Sequence, residues 1–207
     1  MKVAIIGSGN VGQALGASLT RAGHDVTLTA NDPQHAQDAA RAIGASASTD
    51  NATAVRESEI VILAVPYAVA RDEVAPQIAD AARGHVVVDA TNPLTPDFSG
   101  LAVEGTSAAE QFQQQLPGAS VVKAFNTLFA SVQADPSAAD GPVDGYVAGD
   151  DVAAKRQVLE LVASMGLQPL DVGPLAAARH LEGMAFVNIG LNAVNGWGWN
   201  TIWRLER

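Results

Sequence analysis

The first sixteen residues constrain the fold of this chain more than any other stretch. An apolar run over residues 3–6 predicts a buried strand, and it leads directly into the pattern Gly7-x-Gly9-x-x-Gly12 and then an amphipathic helical segment. This order of strand, glycine turn and helix is the fingerprint of a dinucleotide-binding βα unit. In that unit Gly7 permits a tight turn, Gly9 lets the backbone approach a pyrophosphate, and Gly12 lets the helix pack against the strand. The helix N-terminus would then present free N–H groups to the phosphates.

Apolar strands and amphipathic helices alternate along the rest of the chain. Further strands are predicted over residues 25–30, 46–49, 60–65, 86–90, 120–124, 145–148 and 167–171. The alternation predicts an α/β fold of the doubly wound (Rossmann) class, with a mostly parallel sheet. Pro169 places the last strand at an edge, because proline cannot donate to a strand ladder.

The C-terminal part of the chain differs in composition from the rest. We predict a dinucleotide-binding domain over residues 1–172, followed over residues 173–207 by a helical extension and a tail that carries all three tryptophans. A helix is predicted over residues 174–195, and another over residues 68–83 earlier in the chain. The tail could pack on the sheet edge or form a subunit interface, so a homodimer through the C-terminal helix is one expectation.

Composition excludes several classes of protein. The formal net charge of −10 argues against a partner that is a nucleic acid or an anionic membrane. No cysteine is present, which rules out disulfides and thiolate chemistry, and the four histidines have no metal-ligand spacing, so we predict no metal site. No signal peptide and no apolar run of about 18 residues is found, so a cytoplasmic protein is expected.

Ligands of open α/β sheets bind at the carboxyl ends of the strands. Here these ends cover residues 7–12, 64–66, 90–93 and 125–128, and none of them contains His, Lys, Glu or Cys. We therefore predict no catalytic acid or base, and expect Asp89, the nearest carboxylate, to have a structural role. Such a site suits hydride transfer between two cofactors, which needs positioning and exclusion of water more than a proton donor.

The end of the second strand normally distinguishes NAD from NADP, through an acidic or a basic residue respectively. Here Thr29, Ala30 and Asn31 are neutral, and Asp32 before Pro33 is the expected N-cap of the next helix. Both dinucleotides remain open on this pattern.

Several motifs carry a family resemblance, among them Ile6-Gly-Ser-Gly-Asn-Val-Gly12, Ala64-Val65-Pro66, Lys123-Ala-Phe-Asn-Thr127, Gly149-Asp150-Asp151 and Asp171-x-Gly-Pro-Leu-x-x-x-Arg179-x-x-Glu182. With them the chain resembles, over essentially its whole length, the NADP-dependent coenzyme F-420 oxidoreductases, which are related to the oxidoreductase domain of STEAP-type metalloreductases. It departs from the F-420 enzymes at Ala30-Asn31-Asp32, where they usually carry Ser-Arg or similar basic residues, and at Asn126, where they can have His.

The resemblance implies an oxidoreductase that passes hydride between NAD(P)H and a flat redox cofactor, the deazaflavin F-420 or a flavin. The alternatives are a reductase of free flavin or of a small carbonyl, and a non-catalytic module that senses NAD(P). The cofactor-binding residues implied are Gly7, Ser8, Gly9, Asn10, Val11, Ala30, Asn31, Asp32, Ala64, Val65, Pro66, Ala90 and Asn92. The substrate pocket implied consists of Asn126, Thr127 and Leu128.

Overall fold

A computed structural model describes residues 1–206, and its framework is an eight-stranded sheet. The strands are β1 (Lys2–Ile6), β2 (Asp25–Thr29), β3 (Ser46–Ser48), β4 (Ile60–Leu63), β5 (Val86–Asp89), β6 (Ser120–Ala124), β7 (Asp144–Gly149) and β8 (Gln168–Asp171). Their order across the sheet is β3-β2-β1-β4-β5-β6-β7-β8. All neighbouring pairs are parallel except β6 and β7. This architecture confirms the predicted doubly wound fold, and β8 lies at an edge as Pro169 indicated.

Helices cover both faces of the sheet. They are α1 (Asn10–Arg21), α2 (Pro33–Ile43), α3 (Asn51–Arg56), α4 (Tyr67–Val69), α5 (Ala75–Ile78), α6 (Ala108–Gln115), α7 (Ala130–Ala134), α8 (Val152–Ser164) and α9 (Ala178–Asn195). Short 3₁₀ turns cover Pro136–Ala138 and Leu175–Ala177.

The helix predicted over residues 68–83 is confirmed as far as Ile78 but is not α-helical throughout. A π-helical turn, Ala70–Val74, separates α4 from α5, and the chain beyond Ile78 forms turns. Pro76 has no N–H to donate to the carbonyl of residue 72, so the regular α-helical bonding cannot pass through this point.

The hydrophobic core lies on both faces of the sheet because successive side chains of a strand point to opposite sides. Ile5 packs in one cluster with Leu28 and Ile62, whereas its neighbour Ile6 packs in the other with Leu63. Every residue of β4 and β5 is buried, as expected of strands that are covered on both faces.

The strand order reverses direction between β1 and β4, which is the topological switch point of a doubly wound sheet. The carboxyl ends of β1, β4, β5 and β6 all lie at one edge, since these strands are parallel. The fold thus brings the four predicted ligand-binding segments together.

The helix predicted from residue 174 begins as α9 at Ala178, after a 3₁₀ turn, and ends where Gly196 adopts a left-handed conformation with φ of 63°. Val187, Leu191 and Val194 are exposed on α9. A homodimer through this helix and a domain boundary near residue 172 remain predictions. Within the described residues, no helix combines the length and the apolar character needed to cross a bilayer.

Candidate dinucleotide-binding site

The three glycines of the loop after β1 have different reasons to be glycine. Gly7 has φ of +117°, and a Cβ there would lie 2.5 Å from the Ala64 carbonyl oxygen. A Cβ on Gly12 would lie 1.9 Å from the Gly7 carbonyl oxygen, so the turn and the helix could not pack as they do. Gly9, in contrast, has an ordinary φ of −73°, and a Cβ there would meet no atom within 4 Å. Packing therefore explains Gly7 and Gly12, whereas at Gly9 the open space suits a ligand that approaches the backbone.

The N-terminus of α1 fits an anionic group. Gly9 is the N-cap of this twelve-residue helix, and no side chain caps its first turn. The adjacent Ser8 is 3% exposed, and its Oγ has no hydrogen-bond partner. Uncapped N–H groups, the positive end of the helix dipole and an unpartnered hydroxyl together provide the donors that a pyrophosphate requires.

Two clefts adjoin this loop and contain almost all predicted site residues. The β2 cleft has a volume of about 340 Å³, and its lining includes the predicted residues Gly7, Ser8, Gly9, Ala30, Asn31, Asp32, Ala64, Val65 and Pro66. The β6 cleft has a volume of about 360 Å³, and its lining includes Asn10, Val11, Asn92, Asn126, Thr127 and Leu128. Ala90 lies in neither lining and is 7% exposed at the end of β5. A ligand that crosses the glycine loop could therefore occupy both clefts.

In the β2 cleft, Asp32 is held by α2. Its Oδ1 accepts hydrogen bonds from the backbone N–H groups of Gln34 at 2.9 Å and His35 at 3.4 Å, which confirms the predicted N-cap. His35 also lines this cleft, and its Nε2 lies 3.2 Å from the Ser8 carbonyl oxygen. Sequence reasoning missed His35, although its place in the first turn of α2, directly after the end of β2, was a usable signal.

In the β6 cleft, two asparagines hold each other in place. Asn126 Nδ2 donates to Asn92 Oδ1 at 3.0 Å and to the Leu181 carbonyl at 3.0 Å, while Asn92 Nδ2 donates to the Asn126 carbonyl at 3.1 Å. Phe125, just before them, is buried with φ of 68°, and Gln133 Nε2 donates to its carbonyl at 3.0 Å. Left-handed backbone at a bulky residue is strained and persists only where the surroundings hold it, which is common at ligand sites.

Behind the β6 cleft lies a buried ionic cluster of Lys123, Asp89 and Glu182, all with fully buried side chains. Lys123 Nζ donates to Asp89 Oδ2 at 2.8 Å, to the Thr91 carbonyl at 2.8 Å and to Glu182 Oε1 at 2.9 Å. Glu182 also accepts from the Ala108 N–H at the start of α6. The cluster thus joins the ends of β5 and β6 to α6 and α9.

The pKa values in this cluster follow from burial and from the paired charges. Burial raises the pKa of Glu182, and Lys123 opposes that rise. Burial acts to lower the pKa of Lys123, but the carboxylates of Asp89 and Glu182 outweigh it, and the pKa of Lys123 is raised. The structural role expected of Asp89 is confirmed by its bonds to Lys123 and to the Thr91 N–H. Lys123 and Glu182 belong to two of the sequence motifs, but the ion pair between them was not predicted from the sequence.

The chemistry available in the β6 cleft is limited by its lining. All its lining residues are uncharged, and none is a histidine or a tyrosine. In the part of the chain that the structure describes, no group of three or more His, Cys, Asp or Glu could hold a metal ion. The lining of this cleft therefore offers no acidic or basic side chain that would exchange a proton with a ligand.

Comparison with known proteins places this geometry in context. Residues 2–93 match the family model described as "NADP oxidoreductase coenzyme F420-dependent". The chain is 33% identical to the F420-dependent NADP reductase of Methanothermobacter marburgensis, with 94% of each chain covered. It is 32% identical to metalloreductase STEAP3 of Rattus norvegicus over 87% of this chain, but it spans only 36% of the length of that relative. A crystal structure of a candidate F420-dependent NADP reductase from Arthrobacter sp. FB24 superposes with a TM-score of 0.91, at 30% identity and over 100% of both chains.

Proposed function

The chain belongs to the family of coenzyme F-420-dependent NADP oxidoreductases, and on that premise we propose that it transfers a hydride between NADP(H) and F-420. It is an NADP-dependent oxidoreductase, and the identity of the acceptor is the proposed part. The observation that carries the proposal is the uncapped N-terminus of α1, with the unpartnered Ser8 hydroxyl, between two clefts. These features fit a dinucleotide that crosses the glycine loop.

The residues of the glycine loop and the β2 cleft would bind the phosphates and the adenosine part of the dinucleotide. Ser8 Oγ and the first N–H groups of α1 would donate to the pyrophosphate. Asn31 and His35 line the cleft where the adenine ribose would lie, and both can donate to a 2′-phosphate. Asp32 Oδ1 is engaged by the helix N–H groups. The preference for NADP over NAD is therefore supported by the family relationship and not by Asp32.

The β6 cleft would hold the two rings that exchange the hydride. The bound dinucleotide supplies the hydride from its nicotinamide ring, or accepts it there in the reverse direction. The protein contributes position: the paired Asn92 and Asn126 are fixed by three hydrogen bonds, and Thr127 and Leu128 complete the wall. In the direction from NADPH to F-420, the deazaflavin would take up a hydride and one proton, and solvent would supply that proton, since the cleft lining has no acid.

The proposal is tested by mixing the full-length protein with NADPH and oxidised F-420 and following the loss of the visible absorbance of the deazaflavin. We expect turnover with F-420, faster with NADPH than with NADH. Turnover with FMN or a small aldehyde, but none with F-420, would support a flavin or carbonyl reductase of the same fold. Tight NADP binding in a calorimeter without turnover of any acceptor would support a nucleotide-sensing module instead.

A further inference from the structure

The C-terminal tail, residues 196–206, returns to the β6 cleft. It has no regular secondary structure, yet side chains and backbone hold it at several points. Ser131 Oγ donates to the Trp199 carbonyl at 2.6 Å, Trp203 Nε1 donates to the Met184 carbonyl at 3.1 Å, and the Leu205 N–H donates to Asp144 Oδ2 at 2.6 Å. These three hydrogen bonds attach the tail to α7, to α9 and to β7.

A polar cluster on α9 anchors the same segment. Asn192 is fully buried and donates from Nδ2 to Thr201 Oγ1 at 2.6 Å. Thr201 Oγ1 donates in turn to Asn188 Oδ1 at 2.7 Å. These hydrogen bonds favour one position of the tail, because its displacement would break the bonds that Thr201 makes with Asn188 and Asn192. The anchors therefore set the place of Trp199, two residues before Thr201.

Trp199 has a strained backbone conformation. Its φ is 54°, a left-handed backbone conformation that is rare for a bulky residue. Its indole meets the Phe129 ring edge to face, with centroids 5.4 Å apart and an interplanar angle of 87°. Both rings line the β6 cleft, and Trp199 is still 46% exposed. An aromatic surface is thus kept open to the cleft at the expense of backbone strain.

The other two tryptophans differ from Trp199. Trp203 contributes to packing, with its indole N–H bonded to Met184. Trp197 is 44% exposed, but it is absent from the lining of the β6 cleft. Exposure alone therefore does not distinguish Trp199. Its position in the cleft does.

We infer that Trp199, together with Phe129, forms the aromatic wall on which a flat heteroaromatic acceptor packs, so that the tail is part of the acceptor site. The inference rests on the proposed function and assigns Trp199 a role in the choice of acceptor, not in the binding of the dinucleotide. The chemistry fits: an aromatic ring offers apolar area and favourable ring contacts to any flat heterocycle, while the asparagines of the same cleft offer hydrogen bonds to its polar edge.

The test uses full-length protein and the variants Trp199→Ala and Trp199→Phe, with Trp197→Ala as the matched control. Binding of oxidised F-420 is titrated by tryptophan fluorescence, and binding of NADP is measured separately by calorimetry. For Trp199→Ala we expect about a five- to 150-fold loss of F-420 affinity, the range that corresponds to about 1–3 kcal/mol for one aromatic stacking contact. The NADP affinity should stay unchanged, Trp199→Phe should retain most F-420 affinity, and Trp197→Ala should behave as the parent.

Three outcomes would overturn the inference. F-420 could bind equally well to Trp199→Ala and to the parent; Trp197→Ala could lose as much affinity as Trp199→Ala; or F-420 and NADP affinities could fall together, as expected if the tail only supports the fold. In each case reduction of F-420 by the parent protein would still support the proposed function. If the parent neither binds nor reduces F-420, both proposals fail.

Discussion

Replacement of Lys123 by methionine probes the buried ionic cluster most directly. Methionine retains an unbranched side chain of similar length, so the loss of packing should be small. The main cost arises because Asp89 and Glu182, both fully buried, would lose the ammonium group that pairs with each of them at 2.8–2.9 Å. Removal of one partner from a buried ion pair typically costs about 3–5 kcal/mol, a large share of the roughly 5–15 kcal/mol that stabilises a domain.

Urea unfolding at neutral pH measures this cost, and Glu182→Gln is the matched control. That variant keeps the Lys123–Asp89 pair, and its side-chain oxygen can still accept from the Ala108 N–H. We expect a loss of about 1–2 kcal/mol for Glu182→Gln, since it weakens one charge-assisted bond without leaving a charge unpaired. A loss below about 1 kcal/mol for Lys123→Met, or a smaller loss than for Glu182→Gln, would refute the argument that the lysine neutralises buried carboxylates.

The pH dependence gives a second check of the same cluster. The folded-state pKa of Lys123 is raised above its value of 10.5 in the unfolded chain, so its contribution to stability is complete below that pH and is lost as pH rises through the folded pKa. The parent protein should therefore lose stability above about pH 10.5 by a term that Lys123→Met lacks. In the variant Glu182 stays buried without the ammonium group of Lys123, and burial raises its pKa. The stability deficit of the variant should therefore shrink as the pH falls and Glu182 becomes protonated.

Three further predictions concern the glycine loop and the β2 cleft. Gly9→Val should abolish NADP binding in a calorimeter, because the new side chain would occupy the space where the pyrophosphate approaches the backbone. The melting temperature should change little, because a Cβ at residue 9 meets no protein atom within 4 Å. Retained affinity would mean that the phosphates bind elsewhere. Gly12→Ala should lower the free energy of unfolding by about 1–3 kcal/mol, since its Cβ would lie 1.9 Å from the Gly7 carbonyl oxygen, and wild-type stability would contradict this. Asn31→Arg should raise the ratio of NADP to NAD affinity by about tenfold or more through a charge-assisted phosphate contact; an unchanged ratio would mean that the ribose does not lie beside residue 31.

Local sequence patterns predicted much of the fold. The apolar runs at β1, β4 and β5 and the glycine turn predicted a doubly wound sheet because their periodicity and turn chemistry are properties of short segments. The end of β2 was also readable, since Asp32 before Pro33 is a local capping signal. The predicted helix over residues 68–83 was too long: the chain is helical as far as Ile78, with a π-helical stretch over Ala70–Val74 just before Pro76, and forms turns beyond it.

The sequence by itself determined the βα unit, the absence of cysteine chemistry and, through its motifs, the family; it also predicted the strand ends that line the two clefts. Only the tertiary structure showed that Lys123, Asp89 and Glu182 meet, because they come from three distant segments joined by sheet order and by the docking of α9. The same holds for Trp199: from the sequence, the tryptophan-rich tail could pack on the sheet edge or form a subunit interface, and a position in a cleft was not predicted. Its place in the β6 cleft depends on hydrogen bonds across the fold, from Ser131, Asn188 and Asn192, which no local pattern encodes.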